Sequence, residues 1–364
     1  MPKKKNRPWV WNFGLLLGST LFALLLAELM ARDLVSHEFL RIRYYRFATV
    51  LNLIPETSEF DEKLGFKIRP NLDYEFVNPD YDTHVRTNSM GFRDDEESLD
   101  SPRFLFLGDS FTFGWGVEEE EGFVSLFEKR SGEKSLNMGV PGYNIIQETR
   151  LLDMTYPRIQ GEDQVVVLVL YDNDVYENSY PLYSPFPTIR KKGDEIIQRD
   201  PVEECFRIAQ VQHIPSFKRN LRRWSLLADL AMLHLDPGEP AILPDGESPI
   251  DYDPETDGVA FTLTESFEPA LRLLQSELEK HDLPLYAVYI PPVGGLAGER
   301  RPFADTFNET MDKLGIPHLD LTPFLTVEDY YFIDCHWRPS GHTKAANAIF
   351  DFLGNQGLLR PETN

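Results

Sequence analysis

A serine directly follows a short apolar run in the stretch FLFLGDS at positions 104–110. Such a run, broken by glycine and followed by a loop rich in glycine and aromatic residues, is typical of a buried strand in a parallel sheet. Open α/β sheets hold their sites beyond the carboxyl ends of their strands, where this hydroxyl would lie. Gly-Asp-Ser by itself is more often an ordinary turn with a solvated serine. The chemical interpretation therefore depends on residues further along the chain.

Three further groups of glycine and polar residues follow predicted strands or precede the last predicted helix. They are NMGVPGYN at 137–144, YDND at 171–174 and DCHWRPSGH at 334–342. A glycine before a helix can turn its N–H toward a ligand. A serine hydroxyl is a poor nucleophile until an imidazole accepts its proton, and that imidazole needs a carboxylate to fix its tautomer. The chain thus carries, next to strand and helix ends, the residue types that nucleophilic catalysis by serine requires.

The elements that must position these groups alternate between strand and helix, which predicts a parallel sheet. The main predicted strands are 104–107, 135–138, 165–170, 285–290 and 317–319, and the helices are 121–131, 143–157, 266–281, 301–314 and 340–353. Short strands are also predicted at 74–77 and 83–86, and a hairpin at 188–197. The predicted fold is a three-layer α/β/α flavodoxin-like sandwich with a parallel sheet of about five strands. An insertion at about 176–260 contains a basic amphipathic helix around 216–235 and a mobile loop over 236–258.

In these blocks the chain resembles the SGNH hydrolases, also called GDSL-type esterases. The resemblance covers about residues 83–353, with Gly-Asp-Ser, a glycine-containing second block, an Asn-Asp third block and a C-terminal Asp/His block in the family's order. The segment NSMGFR at 88–93 is similar to one that often precedes Gly-Asp-Ser in membrane-anchored bacterial members. Each block alone is weak, but four in the correct order, each near a predicted element end, are specific.

The resemblance implies a role for five residues and implies neither metal nor organic cofactor. Ser110 would be the nucleophile, His336 the general base and Asp334 the residue that orients the base. Tetrahedral intermediates need hydrogen-bond donors aimed at the oxyanion. By the family pattern these donors are the Ser110 N–H, the Gly142 N–H and the side-chain amide of Asn173.

Two departures from the family pattern affect these expectations. Only Cys335 separates Asp334 from His336, where the family usually has two residues. The resulting Asp-x-His-Trp form is similar to the alginate O-acetyltransferase-like branch, so acyl transfer stays open as an activity. The third block has Tyr171 where glycine is usual, so the backbone near Asn173 can differ.

Alternatives remain open for several of these roles. His342 could be the base, although the second histidine of this block normally caps the last helix. Asp329 could orient the base, and Gly139 competes with Gly142 as an oxyanion donor. Asp109, beside the serine, is expected to brace its loop rather than to join the triad.

Two tryptophans and two cysteines have equally open interpretations. Trp115 and Trp337 each fit a substrate cleft or core packing. Cys205 and Cys335 could pair or remain free thiols, and no Cys/His spacing suggests a zinc site.

Composition excludes some functional classes. The 364 residues carry a formal net charge of −23, whereas nucleic-acid binding needs a basic face that displaces counterions. The same acidity argues against electrostatic docking on anionic lipid as the main role. No nucleic-acid partner is therefore expected.

The N-terminus has the composition of a membrane anchor. A basic stretch over 2–8 precedes an almost wholly apolar segment over 9–31, long enough to cross a bilayer as a helix. A cleaved signal peptide is the alternative, but Glu28 would fall at position −3 of a cleavage after Ala31. We predict an uncleaved anchor with its basic end in the cytoplasm.

The predicted domain organisation follows from this anchor. Residues 1–31 form the cytoplasmic N-terminus and transmembrane helix, and residues 32–82 form a juxtamembrane segment that is helical over 32–60. Residues 83–357 form the SGNH hydrolase-like domain.

These observations predict a serine esterase on the periplasmic side of a bacterial inner membrane. It would hydrolyse O-acyl esters, with O-acetyl groups on envelope or exported polysaccharide as the preferred substrate class. One alternative is an O-acyltransferase that moves acyl groups to a polysaccharide hydroxyl. The other is a non-catalytic envelope or polysaccharide-binding protein that keeps the fold.

Overall fold

The computed structural model describes residues 8–36, 54–77, 80–179, 186–211, 221–222, 224–235, 259–262, 264–298 and 303–359. The chain forms two compact units. One contains residues 1–48 and 214–245, and the other contains residues 49–213 and 246–364. The predicted loop over 236–258 and most of the predicted helix over 32–60 lie outside the described residues.

The strands and helices have the following bounds. The strands are β1 (Ser58–Asp61), β2 (Gly65–Ile68), β3 (Asp73–Val77), β4 (Asp82–Arg86), β5 (Phe104–Gly108), β6 (Ser135–Asn137), β7 (Val165–Leu170), β8 (Thr188–Lys192), β9 (Glu195–Arg199), β10 (Leu285–Tyr289) and β11 (His318–Asp320). The helices are α1 (Pro8–Leu34), α2 (Ser110–Phe113), α3 (Phe123–Ser131), α4 (Ile145–Ile159), α5 (Asp172–Tyr176), α6 (Glu203–Val211), α7 (Leu226–Leu235), α8 (Phe267–Glu279), α9 (Val293–Leu296), α10 (Ala304–Leu314) and α11 (Pro339–Asn355).

A five-stranded parallel sheet with the order β11-β10-β7-β5-β6 organises the larger unit. Side chains alternate between its two faces, as a strand period of two requires. On β5, Leu105 and Leu107 pack with α4, α8 and α10, whereas Phe104 and Phe106 pack with α3 and α11. The α/β/α sandwich with about five parallel strands is therefore confirmed.

The strand order creates a crevice at the carboxyl ends of β5 and β7. After β5 the chain continues into α3, which packs on one face of the sheet. After β7 it continues to α8, which packs on the opposite face. Neighbouring strands whose connections diverge in this way leave an open crevice, which is where α/β sheets bind ligands. Ser110 follows β5 and Asn173 follows β7, so they lie on its two sides.

Two antiparallel hairpins, β1–β2 and β3–β4, precede the sheet. The second hairpin packs Phe76 and Val85 against Phe113 and Trp115 of the loop after β5. Arg93, only 2% exposed, donates to the carbonyl oxygens of Gly114 and Val117 and of His84. Burial lowers the pKa of Arg93 to about 10, although acidic residues 118–121 oppose the shift. The hairpin is thus attached to the loop that carries the serine.

The smaller unit contains α1 and α7. α1 is long and apolar enough to cross a membrane, a property that it shares with signal sequences near an N-terminus. From Trp11 to Ala27 its residues are exposed on all sides. α7 packs against α1 near the C-terminal end of the longer helix.

The structure differs locally from the sequence-based prediction. Residues 54–57 are a turn and residues 58–61 form β1, because the β1–β2 hairpin supplies hydrogen bonds that a helix over 32–60 would have made internally. The short helices α2, α5 and α9 and the helix α6 were not predicted. The first three are only one turn long and have no hydrophobic period to detect.

Candidate active site

The strand β5 and the helix α2 present Ser110 at the edge of the sheet. Gly108 ends the strand, and a Cβ there would lie 2.2 Å from Thr112 Oγ1 and 2.6 Å from the Val169 carbonyl oxygen, so only glycine fits. The Asp109 carboxylate caps α2 by accepting the Phe111 N–H at 2.9 Å. Asp109 thus braces the loop, as expected from the sequence, and Ser110 stays partly exposed.

Ser110, His336 and Asp334 form a continuous contact chain. Ser110 Oγ lies 2.7 Å from His336 Nε2, and His336 Nδ1 lies 3.3 Å from Asp334 Oδ2. The second contact does not have the angle of an aligned hydrogen bond, and it becomes an ion pair when the imidazole is protonated. The rings of Phe111 and Trp115 flank the imidazole. This is the arrangement in which an imidazole can remove the serine proton while a carboxylate stabilises the imidazolium.

A strained turn makes the short spacing between Asp334 and His336 possible. Cys335, the single residue between them, has a φ of 64°, a left-handed conformation that residues with a Cβ rarely adopt. The Tyr331 N–H donates to the His336 carbonyl oxygen at 2.8 Å and closes this loop. The family spacing of two residues is therefore not needed to place an Asp carboxylate beside Nδ1.

The Asp334 carboxylate is held by donors that the sequence did not point to. Its Oδ2 accepts the Tyr81 hydroxyl at 2.5 Å and the Trp115 Nε1–H at 2.9 Å. The backbone N–H groups of Ile333 and Asp334 donate to Asp80 Oδ2 at 2.8 and 2.9 Å. Trp115 thus contacts Asp334 through its indole N–H, whereas Trp337 is fully buried core.

Tyr81 belongs to the segment between β3 and β4, outside the region covered by the family resemblance. We expect Tyr81→Phe to lower kcat/KM about 10-fold, because a hydrogen bond to a charged group contributes about 1.5–3 kcal/mol and 1.4 kcal/mol corresponds to tenfold. The matched control is Tyr331→Phe. Its ring lies 4.9 Å from that of Tyr81, but its hydroxyl donates to the Gly116 carbonyl oxygen. Equal losses in the two variants would contradict a specific role for Tyr81.

The protonation of His336 is set by opposing effects. Burial lowers its pKa, but the charges of Asp334 and Asp109 outweigh burial and raise the pKa above the usual 6.5. Burial also raises the pKa of Asp109 itself.

We therefore expect activity to rise with pH through a midpoint above 6.5. A general base must be neutral, and a raised pKa keeps His336 protonated to higher pH. The measurement is kcat/KM against pH on a soluble ester. A midpoint below 6.5 would contradict this electrostatic assignment.

The expected oxyanion donors follow strands of the parallel sheet. Gly142 is in the loop after β6, with a φ of 77° that favours glycine. Asn173 is in the first turn of α5, where its Nδ2 donates to Glu177 Oε2 at 3.1 Å. Gly139 has a packing role, since a Cβ there would lie 2.3 Å from the Phe113 nitrogen. Their part in catalysis stays a prediction.

Two fully buried carboxyl groups, Glu148 of α4 and Asp174 of α5, lie near Asp109. Burial raises the pKa of Glu148 and of Asp174 well above the usual value, and the charge of Asp109 acts in the same direction. Asp174 Oδ2 accepts the Tyr171 N–H at 2.8 Å. Neutral carboxyl groups at these two positions would add no negative charge beside Asp109.

The alternative triad members have other contacts. His342 is fully buried, and its Nδ1 accepts the Phe123 N–H at 3.2 Å, which ties α11 to the start of α3. Burial lowers the pKa of His342 to about 3. Asp329 accepts the Thr326 N–H and forms an ion pair with Lys344 at 2.6 Å.

The structure also locates the two cysteines and the side chains that could bind a metal ion. Cys205 and Cys335 are both buried and do not form a disulfide. Among the described residues, no group of three or more histidine, cysteine, aspartate or glutamate side chains is arranged to hold a metal ion.

Comparisons with known proteins give solved structures only. No family model and no curated protein matches the chain. A lipolytic protein of the G-D-S-L family from Desulfitobacterium hafniense is 11% identical, with 69% of this chain and 98% of that chain covered and a TM-score of 0.38. A GDSL-like lipase from Bacteroides thetaiotaomicron is 10% identical, with 70% and 89% covered and a TM-score of 0.35. An acetyl xylan esterase from Butyrivibrio proteoclasticus is 13% identical, with 72% and 65% covered and a TM-score of 0.36. At these values the chemistry rests on the geometry of the site alone.

Proposed function

We propose that this protein is a serine esterase of the SGNH type that acts through an acyl-serine intermediate. The observation that carries the proposal is the chain of contacts from Ser110 Oγ to His336 Nε2 at 2.7 Å and from His336 Nδ1 to Asp334. A partly exposed serine at the carboxyl end of a central strand meets the geometric needs of a nucleophile.

The proposed reaction has two half-reactions. Ser110 Oγ attacks the ester carbonyl carbon while His336 Nε2 takes the hydroxyl proton, and Asp334 stabilises the imidazolium. The intermediate collapses, the C–O bond to the alcohol breaks, and His336 returns the proton to the leaving alkoxide. Water then attacks the acyl-serine with the same proton transfers, releasing the carboxylic acid and Ser110.

Stabilisation of the oxyanion is assigned to the Ser110 and Gly142 N–H groups and the Asn173 amide. We expect Asn173→Ala to lower kcat about 10²–10³-fold with a small change in KM, because this donor acts mainly on the transition state. Steady-state kinetics on a soluble ester test this. The control is Asn347→Ala, an exposed asparagine of α11 that accepts from Arg130. An unchanged kcat in Asn173→Ala would remove the residue from the oxyanion site.

For substrate and location we propose O-acyl groups, above all O-acetyl groups, on envelope or exported polysaccharide. The length and apolar exposed surface of α1 support a single-pass anchor, and the basic N-terminus supports a cytoplasmic start. The larger unit would then face the periplasm of a bacterial inner membrane.

Active-site labelling tests the proposal. Full-length protein in detergent is treated with a fluorophosphonate probe, and wild type is compared with Ser110→Ala. We expect labelling of the wild type only, whereas labelling that does not depend on Ser110 would contradict the proposal. Products formed with and without a sugar acceptor then separate hydrolysis from transfer, since transfer would lower acetate release when the acceptor is present.

A further inference from the structure

The smaller unit holds a carboxylate, Glu28, in the outer part of the apolar helix α1. Ionisable residues in such helices are costly and need partners. Glu28 accepts the N–H groups of Leu226 and Leu227 at 2.8 and 3.1 Å and the Ser225 hydroxyl at 3.0 Å. Its other partner is Arg32, at 3.0 Å. Glu28 therefore caps the N-terminus of α7, where a negative charge is favourable.

Residues 221–235, here called the return segment, come from the insertion at about 176–260 and include α7. α7 is apolar apart from Asp229 and His234. Asp229 forms an ion pair with Arg222 at 3.0 Å, and both side chains are almost completely buried. A paired charge is what a segment needs before it can leave bulk water.

The contact with α1 lies at one level of that helix. Glu28 and Ala31, one turn apart on the same face, are partly buried, whereas residues 11–27 are exposed on all sides. Arg32 also donates to the Trp224 carbonyl oxygen at 3.2 Å. The return segment therefore contacts α1 near its C-terminal end, in the last turns of the candidate membrane span Trp11–Leu34.

The surface of the return segment has the composition of a membrane interface. Trp224 is 74% exposed and Leu221 is 39% exposed. In sequence, the stretch FKRNLRRW at 217–224 carries four basic residues, of which Arg222 is the buried partner of Asp229, in a protein whose net charge is −23. Tryptophan favours the headgroup level, and basic residues beside it attract anionic phospholipid.

We infer that the return segment is a second membrane contact of this protein, docked by Glu28 at the outer interface of the bilayer that α1 spans. Its partner is the phospholipid surface itself, and continuity with the exposed apolar surface of α1 favours that partner. The catalytic unit would then be tied to the membrane through the insertion as well as through the link after α1. The inference rests on the proposed anchor and is independent of the esterase activity.

The experiment measures the depth of fluorescent probes in full-length protein. Leu221, Leu17 and Thr343 are replaced by cysteine one at a time, and each cysteine is labelled with an environment-sensitive fluorophore. The labelled proteins are placed in vesicles of phosphatidylethanolamine and phosphatidylglycerol. Labelling of the unsubstituted protein measures how much the buried native cysteines react with the fluorophore. Quenchers are lipids with a spin label near the headgroup or deep in the acyl chain, and aqueous iodide.

We expect the shallow lipid quencher to reduce the fluorescence of the probe at Leu221 strongly, and iodide to reduce it only weakly. The probe at Leu17 should respond to the deep quencher, and the probe at the exposed Thr343 of α11 to iodide. Iodide quenching at Leu221 together with lipid quenching at Leu17 would overturn the inference while leaving the anchor intact.

Glu28→Ala tests how the segment is held. Loss of the cap should move the Leu221 probe from lipid to iodide quenching, while the Leu17 probe stays in the bilayer. Asp33→Ala, which removes an exposed acidic residue of the same helix, is the control and should change neither. A Leu221 probe that stays in lipid in Glu28→Ala would overturn the role of Glu28 in docking.

Discussion

Ser110→Ala and His336→Ala are each expected to lower kcat about 10⁵–10⁶-fold, and the double variant is expected to be no worse than either. The two side chains act as a unit, because the hydroxyl 2.7 Å from Nε2 is a nucleophile only while that nitrogen takes its proton. Removing either therefore removes the same step. The measurement is kcat on a soluble ester for the two single variants and the double variant.

His342→Ala is the control for this pair. His342 is fully buried in α11 and holds the Phe123 N–H, so its removal should lower the free energy of unfolding while leaving kcat in the folded fraction nearly unchanged. Additive losses in the Ser110 and His336 variants would contradict a shared step. A loss of kcat in His342→Ala as large as in His336→Ala would reassign the base.

Asp334→Asn is expected to lower kcat about 10³–10⁴-fold without unfolding the protein, since an amide fits the same space but no longer stabilises the imidazolium. The carboxylate oxygen nearest to His336 Nδ1 also accepts from Tyr81 and Trp115, so an amide nitrogen in its place would face two donors. The midpoint of the pH profile should also fall, because the charge that raises the pKa of His336 is gone. Kinetics against pH and thermal unfolding measure these effects.

Asp329→Asn is the matched control, because Asp329 is a second buried aspartate, five residues before Asp334 in the chain. Its carboxylate is paired with Lys344, so the substitution should cost stability and leave the pH midpoint in place. If Asp329→Asn shifted the midpoint and Asp334→Asn did not, the orienting carboxylate would be Asp329.

Much of the sheet could be predicted from the sequence. The runs that became β5 and β7 are continuously apolar because both faces of the sheet are covered, and such runs are recognisable without an alignment. The helices that cover the sheet were also located, within a few residues at their ends. Short elements such as α2 and α5 were missed, since tertiary contacts and caps decide them.

The residues of the candidate site likewise include some that the sequence predicted and some that it did not. Gly-Asp-Ser, Asn173 and the Asp/His block are local patterns, and the family resemblance that their order carries implied that they meet at one edge of the sheet. Tyr81 and Asp80 gave no such signal. A tyrosine between two short strands looks like a surface residue in the sequence. The β3–β4 hairpin brings its hydroxyl to an aspartate that lies 253 positions later in the chain.

The sequence by itself therefore determined the sheet, the residue types of the proposed triad and an apolar N-terminal helix. Only the tertiary structure decided which histidine and aspartate lie next to Ser110, what holds Asp334, and where Glu28 finds its partners. The physical reason is the distance along the chain over which each kind of interaction acts. Periodicity and turn chemistry act over neighbouring residues and can be recognised in the chain, whereas hydrogen bonds between distant segments depend on packing that no local pattern records.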